Sequence, residues 1–149
     1  MKKMILGIVA GLLALAGVAA EPQWLTDLPA AKAKAKAEKK LVLLDFTGSD
    51  WCPPCKALHK NVLTSKEFQD FAKDKLVLVE LDFPRQKTQT PELKKANRDL
   101  QAKFTVEGYP TIIVIDPEGK ELSREVGYSG APAAEYVAQL KKKLESASK

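Results

Sequence analysis

Three stretches of the chain are apolar almost without a break. They are "LVLLDF" at 41–46, "LVLVELD" at 76–82 and "TIIVID" at 111–116. Short runs of this kind suit strands buried on both faces. Between them the period lengthens. From Pro54 to about Leu63 the spacing predicts a helix with Ala57, Leu58 and Val62 on one face. "TSKE" at 64–67 has the form of a capping box and predicts a second short helix with Phe68 and Phe71 inward. "PELKKANRDLQAKF" sets Leu93, Ala96, Asn97, Leu100 and Phe104 at helical spacing. "PEGK" at 117–120 is a tight turn, with "ELSREV" at 121–126 as the returning hairpin strand. A last helix runs from about Ala133 to Leu144, with Tyr136, Val137, Leu140 and Leu144 inward.

Three stretches carry weaker patterns. "EPQWLTDLP" at 21–29 reads as an irregular lead-in. "AAKAKAKAEKK" at 30–40 is rich in helix formers but has no strong apolar stripe, so it predicts a surface helix held by Trp24, Leu25 and Leu28. "FPRQKTQTP" at 83–91 is a polar, proline-punctuated loop. The order of elements predicts an α/β domain. Strands separated by helices are expected to run parallel, and the C-terminal hairpin antiparallel, giving a central mixed sheet flanked by helices.

The first twenty residues change the picture of where the domain works. Met1-Lys2-Lys3 is basic, 5–16 is wholly apolar, and "VAA" at 18–20 has small residues where a signal peptidase needs them. The expectation is a signal peptide cleaved after Ala20, a single domain over 21–149, and a periplasmic or secreted location. No membrane association is expected after cleavage. Losing Lys2 and Lys3 lowers the formal charge from +5 to +3. The lysines are interspersed with acids and lack the interleaved aromatics of a nucleic-acid surface, so no nucleic-acid partner is expected.

The chemistry lies in "GSDWCPPCKALHK" at 48–60, which holds both cysteines and the only histidine. Cys52 follows a buried strand and opens a helix. Helix N-termini carry partial positive charge, which favours the thiolate, the nucleophilic form. Cys55 lies one turn on, within bonding reach. The pair is suited to attack a disulfide in a partner and to resolve the mixed disulfide internally. Outside the cytoplasm such a pair can remain oxidised.

"LLDFTGSDWCPPCK" followed by "VEGYPTIIVIDPEGK" resembles the thioredoxin superfamily. The resemblance covers roughly 30–145. It is nearest to exported thioredoxin-like domains and to the C-terminal domain of periplasmic thiol:disulfide interchange proteins. It implies a thioredoxin-like fold with Cys52 and Cys55 as the redox pair and no other cofactor. It implies that Pro110 is cis and faces the cysteines. It also implies a contact surface for partners made by Trp51, Pro53, Pro54, Tyr109 and Pro110. Asp45 resembles the family's buried acid, which relays protons for the resolving cysteine. A carboxylate inside an apolar strand has a raised pKa and suits that work. Four departures stand out. "TGSD" carries one extra residue before Cys52, with Asp50 a rival acid. Glu80 replaces the usual lysine. Lys60 stands where a helix-kinking proline is usual. The span from Cys52 to Pro110 is longer, with the excess expected in the 64–74 helix and the 83–91 loop.

Pro53 and Pro54 have no backbone N–H, no histidine lies between the cysteines, and Asp50 is close. All three oppose a strongly depressed Cys52 pKa, which strong oxidants need. The expected activity is therefore thiol–disulfide exchange in the reducing or isomerising direction. The expected partners are cysteine-containing exported proteins and an upstream thiol–disulfide donor, with the protein itself monomeric. Two other readings stay open. One is a copper(I) or zinc carrier using Cys52, Cys55 and His59. The other is a redox-inert binding module with a structural disulfide, although so short a loop gains little closure entropy.

Overall fold

The structure is a computed structural model that describes residues 21–148. The expected signal segment, 1–20, lies outside the described residues. One five-stranded sheet has the order β1-β3-β2-β4-β5, with β1 at Trp24–Leu25, β2 at Leu41–Thr47, β3 at Leu76–Asp82, β4 at Thr111–Ile115 and β5 at Glu121–Val126. Five helices flank it: α1 (Leu28–Glu38), α2 (Pro53–Leu58), α3 (Lys66–Lys75), α4 (Pro91–Lys103) and α5 (Ala133–Ala147).

The mixed sheet is as expected, but its strand directions are not all as expected. β2 and β3 are parallel, whereas β4 runs antiparallel to β2 although α4 precedes it. The register gives the reason. Thr47 pairs with Asp82 and Phe46 with Thr111, so the chain leaves β3 and enters β4 at the same end of the sheet. Helix α4 and its flanking loops go out and come back rather than crossing over. The hairpin of β4 and β5 is antiparallel. Its turn is held by Asp116, whose Oδ1 accepts the N–H groups of Glu118, Gly119 and Lys120, with Gly119 supplying a φ of 101°.

The central strands are apolar because both faces are covered. On one face Leu43, Leu78, Ile112 and Val114 pack with Leu58, Phe68, Val137 and Leu140 of the α2, α3 and α5 layer. On the other, Val42, Leu44, Phe46, Val79 and Ile113 pack with α1 and with Phe104 at the end of α4. Each such side chain contributes about 1.5–3 kcal/mol by leaving water.

Several local expectations are refined. The lead-in contains β1, a two-residue strand pairing Trp24 with Leu78, and α1 begins at Leu28 behind an Asp27 cap. In α1 it is Ala31 and Ala35, both fully buried, that bring the helix onto the sheet together with Leu28. The helix after the cysteines reaches Leu63 as expected, but not as one α-helix. Its α-helical part ends at Leu58 and widens into a π-helical turn over His59–Leu63. The cap of α3 is Ser65, whose Oγ accepts from Phe68 N–H, while the Thr64 hydroxyl donates back to the His59 and Lys60 carbonyls. Along α4, Asn97 and Phe104 are buried but Ala96 is exposed.

Candidate active site

The site forms where β2 ends. Gly48 closes the strand, and its carbonyl accepts the N–H groups of Trp51 (3.2 Å) and Cys52 (2.9 Å). That tight turn places Cys52 in extended geometry as the N-cap of α2. Pro53 and Pro54 fill the first two helical positions, where a missing N–H costs the helix nothing. The first free N–H in the turn is that of Cys55, and it points at Cys52 Sγ at 3.4 Å. Cys52 and Cys55 are joined as a disulfide, their Cα atoms 5.3 Å apart.

In this oxidised form Cys52 and Cys55 are each 3% exposed. Pro53 and Pro54 above them are exposed.

Trp51 builds the wall beside the pair. Its ring lies flat against Gly48, where a Cβ would come within 2.5 Å of it, so the position has room for glycine alone. Its indole N–H donates to the Phe83 carbonyl at 2.8 Å. The Arg85 guanidinium lies over the ring, 3.7 Å from the centroid. Tyr109 meets Trp51 edge-on at 5.9 Å and leans on Phe83 at 5.1 Å. Gln101 of α4 fixes the phenol by donating to Tyr109 Oη at 2.8 Å and also donates to the Val106 carbonyl. The Tyr109–Pro110 peptide is cis. Pro110 is buried, and its carbonyl accepts the Gly127 N–H at 2.7 Å. The loop over 108–111 is thus packed against the residue preceding Cys52.

Asp45 lies in the middle of β2, 5% exposed, and its Oδ1 has no hydrogen-bond partner. It shares a sheet face with Leu43, the face that α2 and α5 cover. Burial pushes its pKa up to about 8, and the nearby carboxylates of Glu80 and Asp82 add to the rise. Glu80, its register partner on β3, is raised by burial and by Asp82, and is drawn back by Lys87 and His59. His59 itself is exposed on the π-helical turn. Among the described residues, no group of three or more His, Cys, Asp or Glu side chains is placed to hold a metal ion.

Asp50 does something the sequence does not announce. Its carboxylate accepts the backbone N–H groups of Arg85, Gln86 and Lys87 at 2.8–2.9 Å. These bonds hold its pKa down to about 2. Next to it, Ser49 donates through N–H and hydroxyl to Asp82, and Lys87 Nζ donates to the Ser49 hydroxyl. The extra residue before Cys52 and the long 83–91 loop, two separate departures in sequence, are one contact in space. Phe83, Arg85, Gln101, Ser49 and Asp82 carry no local signal of this role, since each acts through a residue about 8 to 38 positions away along the chain.

Comparison with known proteins agrees with this geometry. Residues 28–144 match the thioredoxin-like domain family. The disulfide bond reductase DsbH of Chlamydia pneumoniae is 39% identical over 126 residues, covering 85% of this chain and 75% of that protein. A solved DsbH oxidoreductase structure superimposes with a TM-score of 0.79 at 37% identity, covering 91% of this chain and 93% of the other. The thiol:disulfide interchange protein DsbD of Cronobacter sakazakii is 35% identical over 104 residues, which is 68% of this chain but 17% of that much longer protein. The chain belongs to the thioredoxin-like domain family.

Proposed function

We propose that this protein, a thiol–disulfide oxidoreductase by family and by its Cys52–Cys55 pair, is exported and works as a reductant of disulfides in other exported proteins. In the reduced form, the Cys52 thiolate attacks one sulfur of the partner disulfide. A mixed disulfide forms and the first partner thiolate leaves. Cys55, losing its proton, then attacks Cys52 and releases the second partner thiol. Two electrons pass from the dithiol to the partner, which gains two thiols, and Cys52–Cys55 closes. An upstream dithiol donor restores the reduced pair by the same exchange run against it. No further bound group is needed.

The observation that carries the direction is the first turn of α2. With Pro53 and Pro54 in place, a single N–H, that of Cys55, reaches Cys52 Sγ. Asp50, held ionised by three amides, keeps a negative charge two residues away. The thiolate is stabilised by the helix start, but without the extra donors that make a strong oxidant. Asp45, in its ionised form, is the proton acceptor for Cys55 in this scheme. Trp51, Pro53, Pro54 and Tyr109 form the surface that an extended partner segment meets, with the cis Pro110 buried beneath it and strand-like pairing at the Tyr109 backbone. The printed name of DsbH, a disulfide bond reductase, supports the same direction. The start of the chain, Met1–Ala20, supports export.

The test is insulin reduction together with the equilibrium potential against glutathione. Turnover by the wild type and none by Cys52→Ser is expected. Equal turnover in both removes the enzymatic reading. A potential as oxidising as about −120 mV reverses the direction.

A further inference from the structure

The Asp50 carboxylate is taken up by three backbone N–H groups, and that of Asp82 by the N–H and hydroxyl of Ser49. The cations of the same two segments reach solvent. Arg85 lies on the outer face of Trp51, Lys87 stands over Ser49, and Lys56 follows Cys55; all three are exposed. A guanidinium stacked on an aromatic ring is held in place, so its charge is aimed rather than averaged over many rotamers. The loop that carries it is itself pinned by three bonds to Asp50, two residues from the cysteine.

From this arrangement we infer that the 83–91 loop is the specificity element of the dithiol, and that it selects disulfides flanked by acidic residues. The inference rests on the oxidoreductase reading above. The partner disulfide must come to Cys52, and Trp51 with its Arg85 cover is the wall beside that approach. Carboxylates on the partner chain next to its cystine meet Arg85 and Lys87, while lysines there meet like charge. Such charges act mainly on the encounter rate, so the preference should weaken with salt.

The experiment uses two synthetic disulfide-bonded peptides of equal length, one with glutamates and one with lysines on either side of the cystine. The neutral 2-hydroxyethyl disulfide is the third substrate, and dithiothreitol regenerates the dithiol. In the wild type at low salt, kcat/KM for the acidic peptide is expected to exceed that for the basic one by about tenfold. Raising the ionic strength from about 0.01 M to about 0.15 M shortens the Debye length from about 30 Å to about 8 Å and should shrink the ratio severalfold. In Arg85→Gln/Lys87→Gln the ratio should fall to near one. A ratio near one in the wild type overturns the inference, as does one that is insensitive to salt or that survives the double substitution. If the variant does not fold, the salt dependence of the wild type decides alone. Failure of the wild type to reduce even the neutral disulfide overturns the oxidoreductase reading, and this inference with it.

Discussion

Asp45 on β2 stands opposite Glu80 on β3 in parallel register, so two carboxyl groups share one covered face of the sheet. Burial and its acidic neighbours hold Asp45 protonated up to about pH 8, whereas in the unfolded chain it ionises near 3.8. Between those values the folded protein binds one proton more than the unfolded chain. Stability therefore falls as pH rises through that window, by up to about 1.4 kcal/mol per pH unit for one proton. Below pH 4 and above about 8 this contribution is flat. Asp45→Asn removes it, so the variant should be more stable than the wild type, by a margin that widens from pH 4 to pH 8. Urea unfolding at several pH values measures this. An equal margin at all pH values would mean that Asp45 is already ionised in the fold. The same substitution should remove any rise in peptide-reduction rate through about pH 8.

Gly48 and Trp51 give a steric prediction. A methyl group at 48 has no room while the indole stays in place. In Gly48→Ala the ring must move away, breaking the bond to the Phe83 carbonyl and the stacking under Arg85. Overpacking of this kind costs about 1–3 kcal/mol. A red shift of Trp51 fluorescence, recorded in a Trp24→Phe background, is expected alongside the lower melting temperature. An unshifted spectrum with unchanged melting would mean that the wall is not tightly built.

How much of this was legible in the sequence follows from the range of the interactions. β2, β3 and β4 are runs of Leu, Val, Ile and Phe whose burial on both faces imposes its own pattern. Cys52, Cys55 and Pro110 belong to compact motifs. β1 was hidden because two residues cannot show a period, and its pairing with Leu78 is set by the sheet rather than by Trp24 and Leu25. The direction of β4 is not legible because strand direction depends on which end of the sheet the chain re-enters, which α4 does not encode locally. The cap of α3 slipped by one residue because adjacent Thr64 and Ser65 both qualify, and the π-helical turn had already claimed the Thr64 hydroxyl. The Asp50 clamp was invisible because its partners are backbone amides, which have no sequence signature.

The two cysteines should separate by role. With Cys55→Ser, attack by Cys52 on a partner leaves a mixed disulfide that nothing inside the chain resolves. A covalent adduct with a disulfide-bonded peptide should then accumulate, cleavable by dithiothreitol. Cys52→Ser should yield little adduct, because Cys55 lies inside α2 rather than at its N-cap, where the helix start favours the thiolate. Non-reducing electrophoresis or intact mass reads both. Equal trapping by the two variants would reassign the attacking sulfur.

The Asp50 clamp makes the last prediction. Its carboxylate ties the 85–87 backbone to the turn before Cys52, and the loop in turn carries the Trp51 partners Phe83 and Arg85. Asp50→Ala releases three amides to water at once. Their hydrogen exchange should speed up at least severalfold, with little change in the amides of β2 and β3, and Asp50→Glu should restore part of the protection. Acid provides an independent handle. Because these bonds hold the folded pKa down to about 2, against 3.8 for an unconstrained aspartate, the clamp is in full force above about pH 4 and is lost as pH falls through about 2. Protection at 85–87 in the wild type should therefore persist at pH 3, where an ordinary surface aspartate is mostly protonated. Acid should add no further loss to Asp50→Ala. If the amides exchange alike in wild type and Asp50→Ala, the loop is held by its own packing, and the extra residue before Cys52 has no positioning role.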